Sequence, residues 1–185
     1  MKRNALVLML IIGFVFSVFG QNTSNFQYTE NNGKITITEY HGSGKVVIIP
    51  ETINGMPVVA MGDNAFRNNG LTSITLPNSL TVIGSSAFRD NALTSITLPN
   101  SLTTIGADAF RNNQLTSVTF PRSLTGIERG AFSNNQITGI TFSSGITYIR
   151  GYSFRNNRLT NVVVPNSVSD LAEDAFDLDV EITRR

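Results

Sequence analysis

The stretch LTSITLPNSLTTIGADAFRNNQ, residues 93–114, decides the fold because the chain repeats it. The preceding unit reads LTSITLPNSLTVIGSSAFRDNA (71–92). The next two read LTSVTFPRSLTGIERGAFSNNQ (115–136) and ITGITFSSGITYIRGYSFRNNR (137–158). Phe66, Phe88, Phe110, Phe132, Phe154 and Phe176 stand 22 residues apart. A fixed period of this length marks a solenoid, in which each unit buries its apolar side only against its neighbours. Partial copies flank the four full ones.

Within the unit, LTSITLP reads as a strand. Leu71, Ile74 and Leu76 face inward, Ser73 and Thr75 outward, and Pro77 ends the ladder because it lacks an N–H. LTVIG predicts a short second strand. SSAFRDN predicts a helical turn, since Leu80, Ile83, Ala87 and Phe88 fit helical spacing while Val82, Ile83 and Gly84 oppose a full helix. The expected fold is therefore a stack of parallel β rungs of 22 residues, each with a short second strand and a helical turn. The Phe rings should lie one above another at about 4.8 Å.

The unit L-x-x-[IV]-x-[LF]-P-x-x-[LI]-x-x-I-x-x-x-[AS]-F-x-x-N-x resembles the BspA-like, or Treponema-type, class of leucine-rich repeats. IPETINGMPVVAMGDNAF (49–66) resembles the irregular first repeat of that family. One departure stands out: Asn69, Asn91, Asn113, Asn135 and Asn157 occupy positions where the family usually has Cys. The resemblance implies a leucine-rich-repeat solenoid in a secreted or surface-attached binding protein, often an adhesin, rather than an enzyme. The family has no fixed functional motif to carry over.

Around the repeats, residues 1–20 read as a signal peptide: Lys2 and Arg3 precede an apolar run from Ala5 to Phe19, with cleavage expected after Gly20. The run is shorter than the roughly 20 residues a membrane span needs. No membrane span is then expected after cleavage, and the protein is expected to be extracytoplasmic: secreted, periplasmic or on the cell surface. Residues 21–45, with FQY, NNG and KITITEY, predict a capping β-hairpin over the first rung. Residues 46–180 are the solenoid and 181–185 a C-terminal tail. Pro50 to Pro77 is five residues longer than Pro77 to Pro99, so a longer first loop is expected around INGMP (53–57). The sequence has no Cys, which excludes disulfides and thiolate metal sites. Its formal charge of +1 falls to −1 without Lys2 and Arg3, which leaves no large basic field for nucleic acid. Acids gather after Thr160, where they suit a solubilising end cap. His41, the only histidine, reads as a solvated loop residue.

Four rows are candidates for a role. The Asn column (69, 91, 113, 135, 157) and the Phe column read as structural ladders, with each amide satisfying loop N–H and C=O groups. The outward strand row, Ser73, Thr75, Ser95, Thr97, Ser117, Thr119 and Thr141, should line a concave face. Arg67, Arg89, Arg111, Ser133 and Arg155, with Asp177 at the end, form a row whose mutual repulsion a carboxylate such as Asp90 or an anionic partner would offset; the competing reading is a solvated structural face. In the unit 137–158, large residues replace small ones: Tyr148, Arg150 and Tyr152, with Arg155 and Arg158 near. Tyr and Arg are the types that anchor interfaces, so these five are the candidate partner-binding patch. A Glu128–Arg150 cross-rung ion pair is the competing account. No HExxH, GxSxG or glycine-rich phosphate loop is present, and no metal or cofactor is expected. The reading is a non-enzymatic binding or adhesion module for a protein or glycoprotein, host extracellular matrix included. The alternative is a structural, self-assembling envelope component.

Overall fold

The structure is a computed structural model that describes residues 23–185. The leader expected at 1–20 and its cleavage site lie outside the described residues. Phe26–Asn31 (β1) and Lys34–Tyr40 (β2) pair antiparallel. Asn32 and Gly33 between them have φ of 51° and 70°, as a two-residue turn matched to strand twist requires. Val46–Ile48 (β3), Thr52–Ile53 (β4) and Met56–Met61 (β5) follow. The five extra residues are not an open loop: β4 and β5 make a second hairpin over Asn54-Gly55, with φ of 52° and 77°. β2 then lies parallel against β5, so the first hairpin covers the edge of the stack.

The repeats follow rung by rung. Ser73–Thr75 (β6) and Val82–Ile83 (β7) come first, then Thr104–Ile105 (β8), Ser117–Thr119 (β9) and Gly126–Ile127 (β10). Gly139–Thr141 (β11), Tyr148–Ile149 (β12), Asn161–Val164 (β13), Asp170–Leu171 (β14) and Glu181–Arg184 (β15) complete the array. All rung-to-rung pairings are parallel, as in Val82 with Thr104 and Gly126 with Tyr148. Residues 181–184 are not a tail: β15 pairs with β13, so the array runs past residue 180. The first strand face is divided into the pairs β3–β6, β9–β11 and β13–β15, and residues 95–97 join no strand pairing. The second strands form the runs β5–β7–β8 and β10–β12–β14.

The segment expected to be a helical turn is not helical, and no α-helix occurs among the described residues. Ser86, Asp108, Gly130 and Tyr152 have φ of 55–65°, as do, at 54–60°, the residues four further on, Asp90, Asn112, Asn134 and Asn156. A right-handed helix cannot pass through such residues. The N–H groups of Ser86, Phe88 and Asp90 instead donate to the carbonyls of Ala107, Ala109 and Arg111 in the next rung, at 2.8, 2.8 and 3.0 Å. Within the turn, the Ala87 and Arg89 N–H groups close back on the Gly84 and Ser86 carbonyls. Every second N–H thus bonds to the next rung, whereas a helix would spend them all internally and leave the neighbouring rung's carbonyls bare.

Inside, Phe66, Phe88, Phe110, Phe132 and Phe154 are fully buried. Successive ring centroids from Phe66 to Phe176 lie 5.2–5.7 Å apart with interplanar angles of 8–25°. Such offset stacks add about 0.5–1.5 kcal/mol per pair beyond area burial. Tyr40 continues the column into the cap, 5.4 Å from Phe66. Phe120 and Phe142 start a second column edge-on to the first, where the earlier rungs carry Leu76 and Leu98.

Candidate functional site

The five residues of the predicted patch separate into two groups. Tyr148 lies over Gly126 so closely that a Cβ on Gly126 would sit 1.9 Å from the Tyr148 Cζ. Its hydroxyl donates to Glu128 Oε1 at 2.9 Å, and the Arg150 guanidinium covers its ring at 4.8 Å. Burial, reinforced by the bond to Glu128 and its charge, raises the Tyr148 hydroxyl above its ordinary pKa of 10.0, so it remains a donor near neutrality. The Glu128–Arg150 ion pair does not form. Arg150 instead pairs with Asp170 of the next rung, and Glu128 holds Tyr148. These side chains are engaged with their own stack.

Tyr152 and Arg155 stand on the turn side. Tyr152 is 37% exposed and has φ of 60°, where the other turns place Asn64, Ser86, Asp108 and Gly130. A bulky side chain at positive φ is a genuine outlier, and such strain concentrates at functional sites. Its ring meets two guanidiniums, Arg129 at 5.1 Å and Arg155 at 5.4 Å. Arg158 is exposed and lies beyond the Asn column, apart from this pair.

The arginine row explains what surrounds them. Arg67 reaches Asp90 at 3.2 Å, Arg89 reaches Asp90 at 3.4 Å and Asp108 at 3.2 Å, and Arg111 reaches Asp108 at 3.5 Å. Burial works against the Asp90 charge, but hydrogen bonds from Asn112 and Arg67 and the charges of Arg89 and Arg67 prevail and lower its pKa. This alternation ends at Ser133, whose short side chain donates to the Gly130 carbonyl at 3.0 Å. A pocket of about 490 Å³ opens there, lined by Asp108, Arg111, Arg129, Ser133, Tyr152 and Arg155 among others. Arg129 and Arg155 form no ion pair among the described residues. Sequence reasoning missed Arg129, although it breaks its column, standing where Ser85, Ala107 and Gly151 are small.

A larger cleft of about 720 Å³ lies on the strand face, between residues 96–100 and 117–122. It has only Arg122 as a charged lining group, beside short hydroxyls and parts of Phe120 and Val118. Ser73, Thr75, Ser95, Thr97, Ser117, Thr119 and Thr141 are all exposed on this face. The smaller pocket is the better candidate because two of its guanidiniums, Arg129 and Arg155, have no ion-pair partner among the described residues and its aromatic is strained. His41 is exposed, 3.7 Å from Glu39.

The family model described as BspA type leucine rich repeat region matches residues 59–183 in six copies. The chain belongs to this family. Among solved structures, the pneumococcal vaccine antigen PcpA is 26% identical over 90% of this chain and 49% of its own, with a TM-score of 0.72. A leucine rich cell surface protein from Faecalibacterium prausnitzii is 24% identical over 89% of this chain and 54% of its own, with a TM-score of 0.65. The chain spans about half the length of each. No curated protein matches significantly.

In this BspA-type array each Asn of the inner column after Asn69 bridges three segments at once. Asn113 Nδ2 donates to the Phe88 and Phe110 carbonyls at 2.9 and 3.1 Å, while its Oδ1 accepts the Leu93 N–H at 3.0 Å. Asn91, Asn135 and Asn157 repeat the arrangement, and Asn69, at the first rung, only reaches the Arg67 carbonyl. A second ladder outside it had no separate reading in the sequence: Asn156 donates to Asn134, Asn134 to Asn112 and Asn112 to Asp90, at 2.6–2.7 Å. No helix among the described residues is long and apolar enough to cross a membrane.

Proposed function

We propose that this chain is an extracytoplasmic, non-enzymatic binding module, secreted or held at the cell surface, that recognises a protein or glycoprotein partner outside the cell, host extracellular matrix included. The observation that carries this reading is Tyr152, a solvent-facing aromatic held in the left-handed region between two guanidiniums that no carboxylate neutralises. Holding a non-glycine residue there costs on the order of 1–3 kcal/mol, which persists where a function uses it. Stacking alone does not require it, since Asn, Ser, Asp and Gly serve in the equivalent turns. Family membership, the apolar run from Ala5 to Phe19 and the likeness to a pneumococcal vaccine antigen support placement outside the cytoplasm.

The test is surface plasmon resonance of the secreted-length chain over a panel of immobilised matrix glycoproteins, with Tyr152→Asn beside the parent. Asn occupies the same turn position at Asn64 with φ of 60°, so the variant should fold with a melting temperature close to the parent's. Binding should fall by at least about 2 kcal/mol, the hot-spot threshold, or roughly thirtyfold. Undiminished binding by a folded variant refutes the assignment of Tyr152.

A second reading, end-to-end self-assembly, has one observation in its favour. Among the described residues β15 pairs on one side only, with β13, and its Ile182 is 44% exposed; such edges template further pairing. Sedimentation velocity decides it: a single monomer boundary across a hundredfold concentration range removes this reading.

A further inference from the structure

We propose that the pocket between Arg111, Arg129 and Arg155 binds the carboxylate or sulfate group of an acidic saccharide; this rests on the reading of the chain as a binding module and names its ligand chemistry. Three guanidiniums (Arg111, Arg129, Arg155) and one carboxylate, Asp108, line the pocket. Asp108 pairs with Arg89 and Arg111, and Asp177, which ends the arginine row, accepts the Asn156 and Asn157 N–H groups, so Arg129 and Arg155 keep their charge at the pocket. Guanidiniums bind carboxylate and sulfate through paired parallel hydrogen bonds.

Tyr152 orders two of these cations without neutralising them, because a ring face offers a quadrupole and not a charge. Ser133 provides the space. At its position four other rungs carry Arg67, Arg89, Arg111 and Arg155, and the last carries Asp177; a guanidinium there would fill the pocket. The neutral lining matches hydroxyl groups: Asn134 and Asn156 are fixed by their ladder at 2.7 Å, and each amide nitrogen keeps a second N–H to offer. The volume of about 490 Å³ lies in the usual range for small-ligand sites, about 300–1,000 Å³. A sugar ring occupies such a space, whereas one Asp or Glu side chain of a protein partner leaves most of it empty. A nucleic-acid backbone would need a continuous basic stripe, and Asp90 and Asp108 interrupt the one present.

The experiment is isothermal titration of the secreted-length chain with four probes: a sulfated heparin disaccharide, sialyllactose, lactose and a glutamate-rich peptide. Saturable binding of at least one acidic saccharide is expected, weaker at higher salt, and none of lactose. The sulfated and the carboxylated arms distinguish the two sources of the anion. The double variant Arg129→Ala/Arg155→Ala should weaken binding at least tenfold. Ser133→Arg, which restores the row's own residue and touches no ligand arginine, should abolish it. Binding of neither acidic saccharide, binding of the peptide alone, or binding that survives in both variants overturns the proposal. Its failure is separable from that of the binding-module reading. A parent that captures a matrix glycoprotein equally well after Ser133→Arg or after removal of acidic glycans keeps the module and loses the pocket. A parent that captures no glycoprotein loses the module, and the saccharide titration still decides the pocket.

Discussion

Asn113→Ala removes one amide from the centre of the inner ladder, and its cost can be worked out bond by bond. The Leu93 N–H loses its acceptor and sits behind a fully buried Leu93, so it is left unpaired at about 1–3 kcal/mol. The Phe88 and Phe110 carbonyls each fall from two donors to one, because Asn91 still serves the first and Asn135 the second. At about 0.5–1 kcal/mol for each lost bond, the total is roughly 2–5 kcal/mol. Asn69→Ala is the internal control. It is the same substitution in the same column, but it removes a single exposed bond, from Asn69 Nδ2 to the Arg67 carbonyl, and should cost less than about 1 kcal/mol. Urea unfolding followed by far-UV circular dichroism reads both. With a slope of about 2 kcal/mol/M, Asn113→Ala should move the midpoint down by about 1–2.5 M and Asn69→Ala by less than about 0.5 M. Equal shifts for the two variants would refute the argument that bridging, and not residue type, gives the column its worth.

Three further outcomes follow from the same geometry. Phe110→Ala empties a site between rings at 5.3 and 5.2 Å and should cost about 3–5 kcal/mol; a near-native melting temperature would mean that the stack is not the core. Gly126→Thr should be strongly destabilising, because its Cβ meets the Tyr148 ring. Adding Tyr148→Thr should recover most of the loss, since Thr104 and Val82 stack at this position without strain, and a double-mutant cycle showing no coupling would contradict the contact. Asp90→Asn should cost up to about 1 kcal/mol near pH 7, given a side chain 28% exposed to solvent. The folded-state pKa of Asp90 is lowered from 3.8, so its stabilisation is present above 3.8 and lost as pH falls through the lower folded value. Urea midpoints of parent and variant should therefore converge below that pH, and a gap independent of pH would remove Asp90 from the network.

The sequence alone determined the solenoid and its period. Six phenylalanines at equal spacing can all be buried only if their units stack in register, and a residue 22 places away is then always the neighbour above or below. That register is a translation, so columns of one residue type were legible from the sequence without coordinates. The turn was not. Ile83, Ala87 and Phe88 satisfy a helical period as well as two successive tight turns, and the choice depends on the next rung's carbonyls, which accept the N–H groups a helix would have consumed. The left-handed positions at residues 86 and 90 lie four residues apart, close enough to the helical repeat to be mistaken for it. Nor could the sequence separate Tyr148 from Tyr152. They lie four residues apart, yet one packs down on Gly126 and the other, with φ of 60°, turns outward between two arginines. Arg89 with Asp108 and Tyr152 with Arg129 meet at offsets of 19 and 23 residues rather than 22. Those diagonal contacts depend on where side chains reach across a rung, and only the tertiary structure decides that.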